Sequence, residues 1–417
     1  MRGDTWPLEP LGSLLTGIEA GKSPDLPDSP AGPGEWGVLK VSAIHTSGFR
    51  AAENKRIDTP GIVDTRYEVH PGDLLISRAN TPELVGSACI ASEASQRLLL
   101  SDKTLRLKVD PNLALDVYVN TCLASLDVRR QIINFASGSS RSMQNIGQKS
   151  IERLVLPVPP LEVQRRICAA IDSVTTIERG IEESIAKTEQ IREGVMLSLL
   201  GPALGGREVL NAASLNVEWV KSRVGDLFDM QLGKMLDKGA VKGRNLRPYL
   251  TNRNVQWGRI EVDDLRRMEF SSAERIKFRV KPGDLIVTEG GEVGRAAIWG
   301  GEISECYFQK SLHRLRPKAD ISPEFMLCYM EFAARNGLLV DYVVQTSIAH
   351  LPQDRFADLP VIYPRDAADR RRIVDAIGRC DIQIMTERSE LAKIRRLKQG
   401  FVDNLLSGRV APAAVAA

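Results

Sequence analysis

Apolar side chains recur with helical spacing along two long stretches of this chain that contain no proline. In the first stretch they lie at positions 167, 171, 174, 177, 181, 185, 191, 195 and 199. In the second stretch they lie at Ile373, Ile377, Cys380, Ile384, Leu391, Ile394, Phe401 and Leu405. Intervals of mostly three or four residues predict one buried seam on a helix. Each stretch has about 40 helical residues and is therefore predicted to be ~60 Å long.

The two helical stretches belong to a repeat that covers most of the chain. The segment PGDLLI, at 71–76, returns as PGDLIV at 282–287. The segment DKTL at 102–105 is answered by QKSL at 309–312, and the helical stretches match at a constant offset of 206 residues. Such self-similarity predicts two copies of one structure.

Outside the helical stretches, glycines and prolines separate short alternating segments such as DLLIS and TLRLKV. These segments are typical of strands and turns with a few short helices. We predict an α+β fold with two mixed α/β domains, each followed by a long helix. The two helices most simply pack on each other as an antiparallel coiled coil, and packing of each helix on its own domain is the alternative. The predicted boundaries are domain 1 at 1–158, helix 1 at 159–204, a linker at 205–220, domain 2 at 221–363, helix 2 at 364–410 and a tail at 411–417.

Composition and charge narrow the class of protein. No apolar run in the 417 residues reaches the ~18 needed to span a membrane, and the first ten residues lack the apolar core of a signal peptide. We therefore expect a soluble cytoplasmic protein. The six scattered cysteines form no CxxC pair. Residues 1–158 carry 17 basic and 18 acidic side chains, and residues 211–363 carry 22 and 20. Any surface that binds a polyanion must therefore be a local patch.

Catalytic motifs are weak in this sequence. The segment GIEAGKS at 17–23 has one residue too few between its glycines for a phosphate-binding loop. Asp25 and Glu53 could hold Mg²⁺, yet the second copy has no such pair, so a nuclease is a minor alternative. The four histidines show no metal-binding spacing. A duplicated chain without evident chemistry is more simply a binder with two sites.

Two kinds of segment are candidates for DNA contact. Segment 233–259 carries seven basic residues against one acid, and segment 138–145 is free of acids. Lysine and arginine contact phosphates, whereas arginine, asparagine and glutamine also read base edges. The alternatives are a solvated basic loop and a structural cap. With the matching segments of the other copy, the candidates are Lys40, Ser42, Arg78, Lys103, Arg141, Gln144, Asn145, Lys242, Arg244, Arg253, Asn254, Lys310, Gln345 and Thr346. Asp73 and Asp284, in the PGD turns, are predicted to be structural.

These motifs together resemble the specificity subunit of type I restriction–modification systems. The resemblance rests on PGDLL at 71–75, SDKTLRL at 101–107, GSSRSMQNI at 138–146 and LPVPPLEVQRRI at 156–167, which recur in degraded form in the second half. One departure is that PPLEVQRRI is replaced by a segment with a basic cluster at 370–372, so a partner contact there could differ.

The resemblance implies that each domain is a target recognition domain and that the paired helices form a spacer. It implies a non-catalytic chain that reads a bipartite site in double-stranded DNA. The partners implied are modification subunits, expected to number two, which use S-adenosylmethionine, and restriction subunits, which use ATP and Mg²⁺; no cofactor is expected in this chain. Two alternatives stay open: a similar subunit of another methylation-based defence complex, and a coiled-coil scaffold without DNA contact.

Overall fold

The computed structural model describes residues 6–92, 97–140, 143–204, 217–236, 241, 243, 245–345 and 349–409. The chain forms two compact units. Unit 1 is drawn from residues 1–182 and 389–417, and unit 2 from residues 183–388. Each unit therefore contains a β-rich part and a segment of both long helices.

The described residues form short helices within the β-rich parts and the two long helices predicted from the apolar spacing. Each long helix has 40 residues. No helix among the described residues is both long and apolar enough to cross a membrane. In chain order the helices are α1 (Asp116–Ala124), α2 (Leu126–Phe135), α3 (Gln148–Glu152), α4 (Leu161–Leu200), α5 (Val224–Leu227), α6 (Ser272–Phe278), α7 (Pro323–Arg335), α8 (Gln353–Asp358) and α9 (Ala367–Leu406).

Unit 1 is built around an antiparallel sheet with the order β2-β11-β7-β9, and smaller sheets have the orders β10-β3-β6, β12-β13-β8, β1-β14 and β4-β5. Its strands are β1 (Leu8–Pro10), β2 (Leu15–Ala20), β3 (Gly37–Leu39), β4 (Ile44–His45), β5 (Gly48–Phe49), β6 (Asn54–Arg56), β7 (Leu74–Ser77), β8 (Ala79–Asn80), β9 (Ala88–Ile90), β10 (Leu98–Leu99), β11 (Thr104–Val109), β12 (Ser137–Ser140), β13 (Met143–Asn145) and β14 (Val155–Pro157).

Unit 2 repeats this plan with the central order β16-β24-β21-β22, and smaller sheets have the orders β20-β17-β23, β15-β27, β18-β19 and β25-β26. Its strands are β15 (Trp219–Arg223), β16 (Phe228–Leu232), β17 (Leu246–Leu250), β18 (Val255–Gln256), β19 (Arg259–Ile260), β20 (Arg266–Glu269), β21 (Leu285–Thr288), β22 (Ala296–Ile298), β23 (Tyr307–Phe308), β24 (Leu312–Pro317), β25 (Val344–Gln345), β26 (Ala349–His350) and β27 (Pro360–Pro364).

The long helices pack against each other in opposite directions in each unit. In unit 1, Ile167 near the start of α4 shares a core with Leu405 near the end of α9. In unit 2, Leu200 at the end of α4 shares a core with Ile373 and Ile377 near the start of α9. The α+β class and the antiparallel helix packing predicted from the sequence are confirmed.

Two positions of the predicted apolar stripe face outward instead. Ile177 is 54% exposed and Ile191 is 49% exposed, so neither belongs to the buried seam. One turn of the helix takes 3.6 residues, so the step of three residues before Ile177 and the step of six before Ile191 rotate these side chains away from the seam. The prediction that every stripe residue is buried is therefore wrong at these two places.

The PGD turns act as structural clamps in both copies, as predicted for the aspartates. Asp73 accepts a hydrogen bond from the backbone N–H of His70 at 2.8 Å, and it forms an ion pair with Arg106 at 2.7 Å. Asp284 accepts the equivalent turn bond and pairs with Arg316 at 2.6 Å. The glycine before each aspartate has a φ of +92° or +88°, a conformation that favours glycine. In each copy these contacts therefore fix the turn that precedes the strand, which is β7 in unit 1 and β21 in unit 2.

The start of each long helix is tied to the β-rich part of its unit by a buried polar residue. Gln164 is fully buried and accepts a hydrogen bond from the backbone N–H of Leu115 at 3.0 Å. At the matching place of the second copy, Arg370 donates to the Asp320 carboxylate at 2.7 Å. The basic cluster that departs from the first copy therefore includes one arginine with an internal structural role.

Candidate DNA-contact surfaces

Three segments that are far apart in sequence meet where β7 ends in unit 1. The backbone N–H of Arg78 donates to the carbonyl of Lys103 at 2.8 Å, and the carbonyl of Arg78 accepts from the N–H of Ile146 at 2.9 Å. Strand β13 then pairs with β8, with Gln144 opposite Asn80. Four of the predicted residues are therefore neighbours. We call Arg78, Asn80, Lys103, Gln144 and Asn145 the unit-1 surface.

The side chains of the unit-1 surface are suited to a polar ligand. Arg78, Lys103 and Asn145 are exposed, and within the described ranges their side chains make no hydrogen bond or ion pair. Gln144 is half-buried and is engaged in an interaction of its own. Two free cations beside amide groups can contact both phosphates and base edges.

Ser42 lies on a different turn, at 41–43, which Lys40 directly precedes, and the head groups of both residues are already paired. Ser42 donates to the Glu53 carboxylate at 2.6 Å, and the Lys40 ammonium lies 3.1 Å from Asp28. The hydrogen bond and charge of Lys40 lower the pKa of Asp28. These two residues stay predictions as DNA contacts, and a contact by either would first have to displace an acidic partner.

Unit 2 builds the same backbone frame at the end of β21. The N–H of Glu289 donates to the carbonyl of Ser311 at 2.8 Å, and the carbonyl of Glu289 accepts from the N–H of Leu351 at 2.7 Å. Gly290 forms a bridge with His350, as Ala79 does with Asn145 in unit 1. Glu289 is therefore the structural counterpart of Arg78, and His350 the counterpart of Asn145.

Arg253 reaches this frame from another segment. It lies on a turn at Asn252–Asn254, where the Asn252 N–H donates to the Ser311 hydroxyl at 3.3 Å and the Asn252 amide donates to the Gly290 carbonyl at 3.3 Å. Arg253 is exposed, and within the part of the chain that the structure describes its side chain makes no hydrogen bond or ion pair. We call Arg253, Glu289, Lys310, Gln345 and His350 the unit-2 surface.

Asn254 has a structural role that its sequence position did not reveal. Its side chain is 6% exposed, and its carbonyl oxygen accepts from the N–H and hydroxyl of Thr251 at 2.9 and 2.8 Å. Its amide donates to the backbone carbonyls of Glu261 and Asp264 at 3.1 and 3.3 Å. Both ends of the Asn254 amide are therefore used within the protein and are not free to contact DNA.

The strand pairing corrects the match between the two copies. Thr104 pairs with Ser77, whereas Leu312 pairs with Thr288. Since Ser77 and Thr288 follow the same PGD turn, Thr104 corresponds to Leu312, and Lys103 to Ser311 rather than to Lys310. The QKSL alignment is therefore shifted by one residue. Gln345 lies on β25, the strand before His350, and is exposed.

Four further predicted contacts, namely Arg141, Lys242, Arg244 and Thr346, lie outside the described residues. Sequence reasoning missed Glu289 and His350 as site residues. For Glu289 a signal was available, because the PGD repeat aligns it with Arg78. For His350 only the hairpin β25-β26 supplies the match.

A buried histidine supports the unit-2 surface from within. His313 is fully buried, and its Nε2 donates to the Leu351 carbonyl at 2.8 Å. Burial disfavours the charged imidazolium and lowers the pKa of His313 to about 4. A neutral His313 therefore holds the residue next to His350. In the described part of the chain, no group of three His, Cys, Asp or Glu side chains is placed to hold a metal ion.

Residues 216–396 match the family described as the type I restriction modification DNA specificity domain. This segment is therefore similar to type I specificity domains. The resemblance to specificity subunits inferred from the motifs is thereby confirmed. The match covers most of the β-rich part of unit 2 and continues into α9.

Curated type I specificity subunits are similar to part of the chain. The EcoEI specificity subunit of Escherichia coli is 26% identical over 196 residues, which are 46% of this chain and 33% of that protein. The EcoKI specificity subunit of Escherichia coli K12 is 22% identical over 228 residues, which are 52% of this chain and 48% of that protein. The chain thus spans a third to a half of the curated relatives it matches.

Solved structures share the fold over nearly the whole chain. The specificity subunit from M. genitalium aligns with a TM-score of 0.58 at 13% identity and covers 97% of both chains. A chain from a study of complex assembly and conformational transition of the type I system aligns with a TM-score of 0.60 at 16% identity, covering 97% of this chain and 98% of that chain. At these identities the likeness shows a shared fold.

Proposed function

We propose that this chain is the DNA-recognition subunit of a type I restriction–modification complex and that each unit reads one half of a bipartite site. The observation that carries the proposal is the repeated frame at the ends of β7 and β21. In both units, backbone bonds from three distant segments gather exposed polar side chains at one place. Loops held on a rigid sheet are a common position for recognition residues.

The side chains at these places fit a division between positioning and reading. Lys103 and Lys310 would contact phosphates, which orient the protein without reporting sequence. Arg78, Gln144, Asn145, Arg253 and Gln345 would face base edges, where hydrogen bonds distinguish base pairs. Because the two surfaces carry different side chains on one frame, they would read different half-sites.

The long helices would dock the partner subunits. Large apolar side chains are exposed on them, including Ile177, Ile382, Met385 and Leu397. Exposed apolar groups of this size offer a surface for protein contacts. We propose that two modification subunits dock there and connect the restriction subunits. Methyl transfer with S-adenosylmethionine and cleavage with ATP and Mg²⁺ would belong to those partners.

A domain exchange tests this function in the intact complex. Residues 1–158 are replaced by the matching domain of a relative, and the methylated motif is read across the genome of a host that carries the modification subunits. We expect one half of the motif to change and the other half to stay, because each frame belongs to one unit. A motif changed in both halves would contradict modular reading.

Salt dependence of binding separates a DNA reader from a scaffold. The full chain with its modification subunits is titrated with duplex DNA between 50 and 200 mM salt, roughly the range over which phosphate contacts lose most affinity. A steep loss of affinity is expected from contacts by Lys103, Lys310 and their neighbours. Absence of binding to any duplex at low salt would favour a coiled-coil scaffold without DNA contact.

A further inference from the structure

We propose that the equivalent residues Arg78 and Glu289 read bases of opposite hydrogen-bonding polarity, a guanine in one half-site and a cytosine in the other. The inference rests on the proposed function and names one reading position in each half-site. It is carried by the backbone geometry, the burial and the free side-chain groups of the two residues.

The backbone of the two residues is held by the same pair of bonds. Each donates its N–H to the segment that precedes β11 or β24, and each accepts at its carbonyl from the residue that follows β13 or β26. The preceding residues, Ser77 and Thr288, are fully buried. Arg78 is exposed and Glu289 is half-buried, so both side chains are reachable from the surface where their strands end.

Both charged groups are unpaired within the described residues. Arg78 is exposed and Glu289 is half-buried, and neither side chain makes a hydrogen bond or ion pair there. By contrast, Arg106, Asp73 and Asp284 in the adjoining clamps are all ion-paired. The free groups at positions 78 and 289 are therefore available to a ligand.

A free carboxylate on a DNA-contact surface needs a particular partner. Phosphates repel it, so Glu289 would weaken binding unless a base supplies a donor. Cytosine presents its N4 amine in the major groove, and a carboxylate can accept a hydrogen bond from this amine. Guanine presents the O6 and N7 acceptors, which an arginine can bind with two N–H groups. The exposed cations Arg253 and Lys310 would offset the phosphate repulsion around Glu289.

Charge reversal at the two positions tests the proposal in the full complex. Arg78→Glu and Glu289→Arg are made separately in the full chain, assembled with the modification subunits, and the methylated motif is read genome-wide. A well-placed base contact discriminates by roughly 5- to 150-fold. We expect Arg78→Glu to remove the guanine preference at one position of one half-site. We expect Glu289→Arg to shift one position of the other half-site from cytosine towards guanine.

Matched controls reverse exposed charges elsewhere in the same units. Arg130→Glu lies on α2, where the side chain is 73% exposed, and Asp341→Arg lies in an exposed turn of unit 2. Both should leave the motif unchanged. If a reversal abolishes methylation, Arg78→Gln and Glu289→Gln are compared on duplexes that differ by one base pair. Loss of discrimination at a single position supports the proposal.

Two outcomes would overturn the inference. An unchanged motif in active Arg78→Glu and Glu289→Arg complexes would show that these residues read no base. An equal loss of affinity on all duplexes in Arg78→Gln would assign Arg78 to phosphate contact, and an equal gain on all duplexes in Glu289→Gln would show that Glu289 only repels the phosphates. Both outcomes leave the proposed function standing if the unaltered complex still selects a bipartite site. Failure of the unaltered complex to select any site would instead defeat the proposed function.

Discussion

Removal of the Arg192 guanidinium should loosen unit 2 far more than the loss of an ordinary surface charge. Arg192, on α4, donates to both oxygens of Glu331 at 2.8 and 2.7 Å and to Asp381 at 2.6 Å. The side chain of Glu331, on α7, is only 7% exposed, and that of Arg192 is 14% exposed. Burial by itself lowers the pKa of Arg192, yet the bonds to Glu331 and Asp381 outweigh it and raise the pKa. The triad therefore joins both long helices to the β-rich part of unit 2.

The expected loss in the free energy of unfolding of Arg192→Met depends on the charge of Glu331, which remains buried after the substitution. Breaking a buried ion pair typically costs ~3–5 kcal/mol, because the remaining ion is buried without its partner. Arg335 still pairs with Glu331 at 2.8 Å, so Arg192→Met should fall at the lower end, about 3 kcal/mol. The control is Arg388→Met, since Arg388 pairs with Glu189 across the same helices while 62% exposed. An exposed pair is worth ~0.2–1 kcal/mol.

Hydrogen exchange measured by mass spectrometry provides the assay, because it reports the opening free energy of separate segments. Amides of α7 and of residues 183–200 should exchange faster in Arg192→Met by a factor of about 150, which corresponds to 3 kcal/mol at 1.4 kcal/mol per tenfold. The double variant Arg192→Met, Glu331→Met should recover part of the loss, since it removes the buried carboxylate that Arg192→Met leaves with the half-exposed Arg335 as its remaining ion-pair partner. Equal exchange in Arg192→Met and Arg388→Met would refute the reasoning.

Three further predictions concern the unit-2 surface and the helices. The folded state keeps His313 neutral, because its pKa is about 4 in the folded protein and 6.5 in the unfolded chain. The contribution of His313 to stability is therefore complete above pH 6.5, and the free energy of unfolding falls by about 3 kcal/mol towards pH 4. In urea unfolding, His313→Gln should remove this dependence of the free energy of unfolding on pH. Arg253→Ala should weaken binding to the specific duplex more than to random duplex, whereas Asn254→Ala should lower the melting temperature, because a lost buried hydrogen-bonding group costs ~1–3 kcal/mol; the reverse pattern would contradict both assignments. Four residues inserted after Glu183 should lengthen α4 by ~6 Å and widen the unread gap of the methylated motif by one or two base pairs at ~3.4 Å each, and an unchanged gap in an active complex would argue against a spacing role for the helices.

Local patterns in the sequence were sufficient for the elements whose structure depends on near neighbours. The two long helices follow from apolar spacing, because residues three or four apart share one helical face. The structural role of Asp73 and Asp284 follows from a turn in which the aspartate accepts a bond from three residues before it. The doubled plan follows from the repeat itself, and the corresponding central sheets have the same order.

Tertiary structure alone decided which residues meet and which are available. Arg78, Lys103 and Gln144 come together only because β11 and β13 pair with other strands, and such pairing joins segments with no local relation. The strand pairing also shows that the residue equivalent to Lys103 in the second copy is Ser311 and not Lys310, a difference of one residue that the sequence alignment did not reveal. Asn254 carries the side chain of a base reader, yet its surroundings bury it and use both ends of its amide. The sequence gives the type of each residue. The exposure of a side chain and the hydrogen bonds that it makes depend instead on residues from other parts of the chain that pack around it.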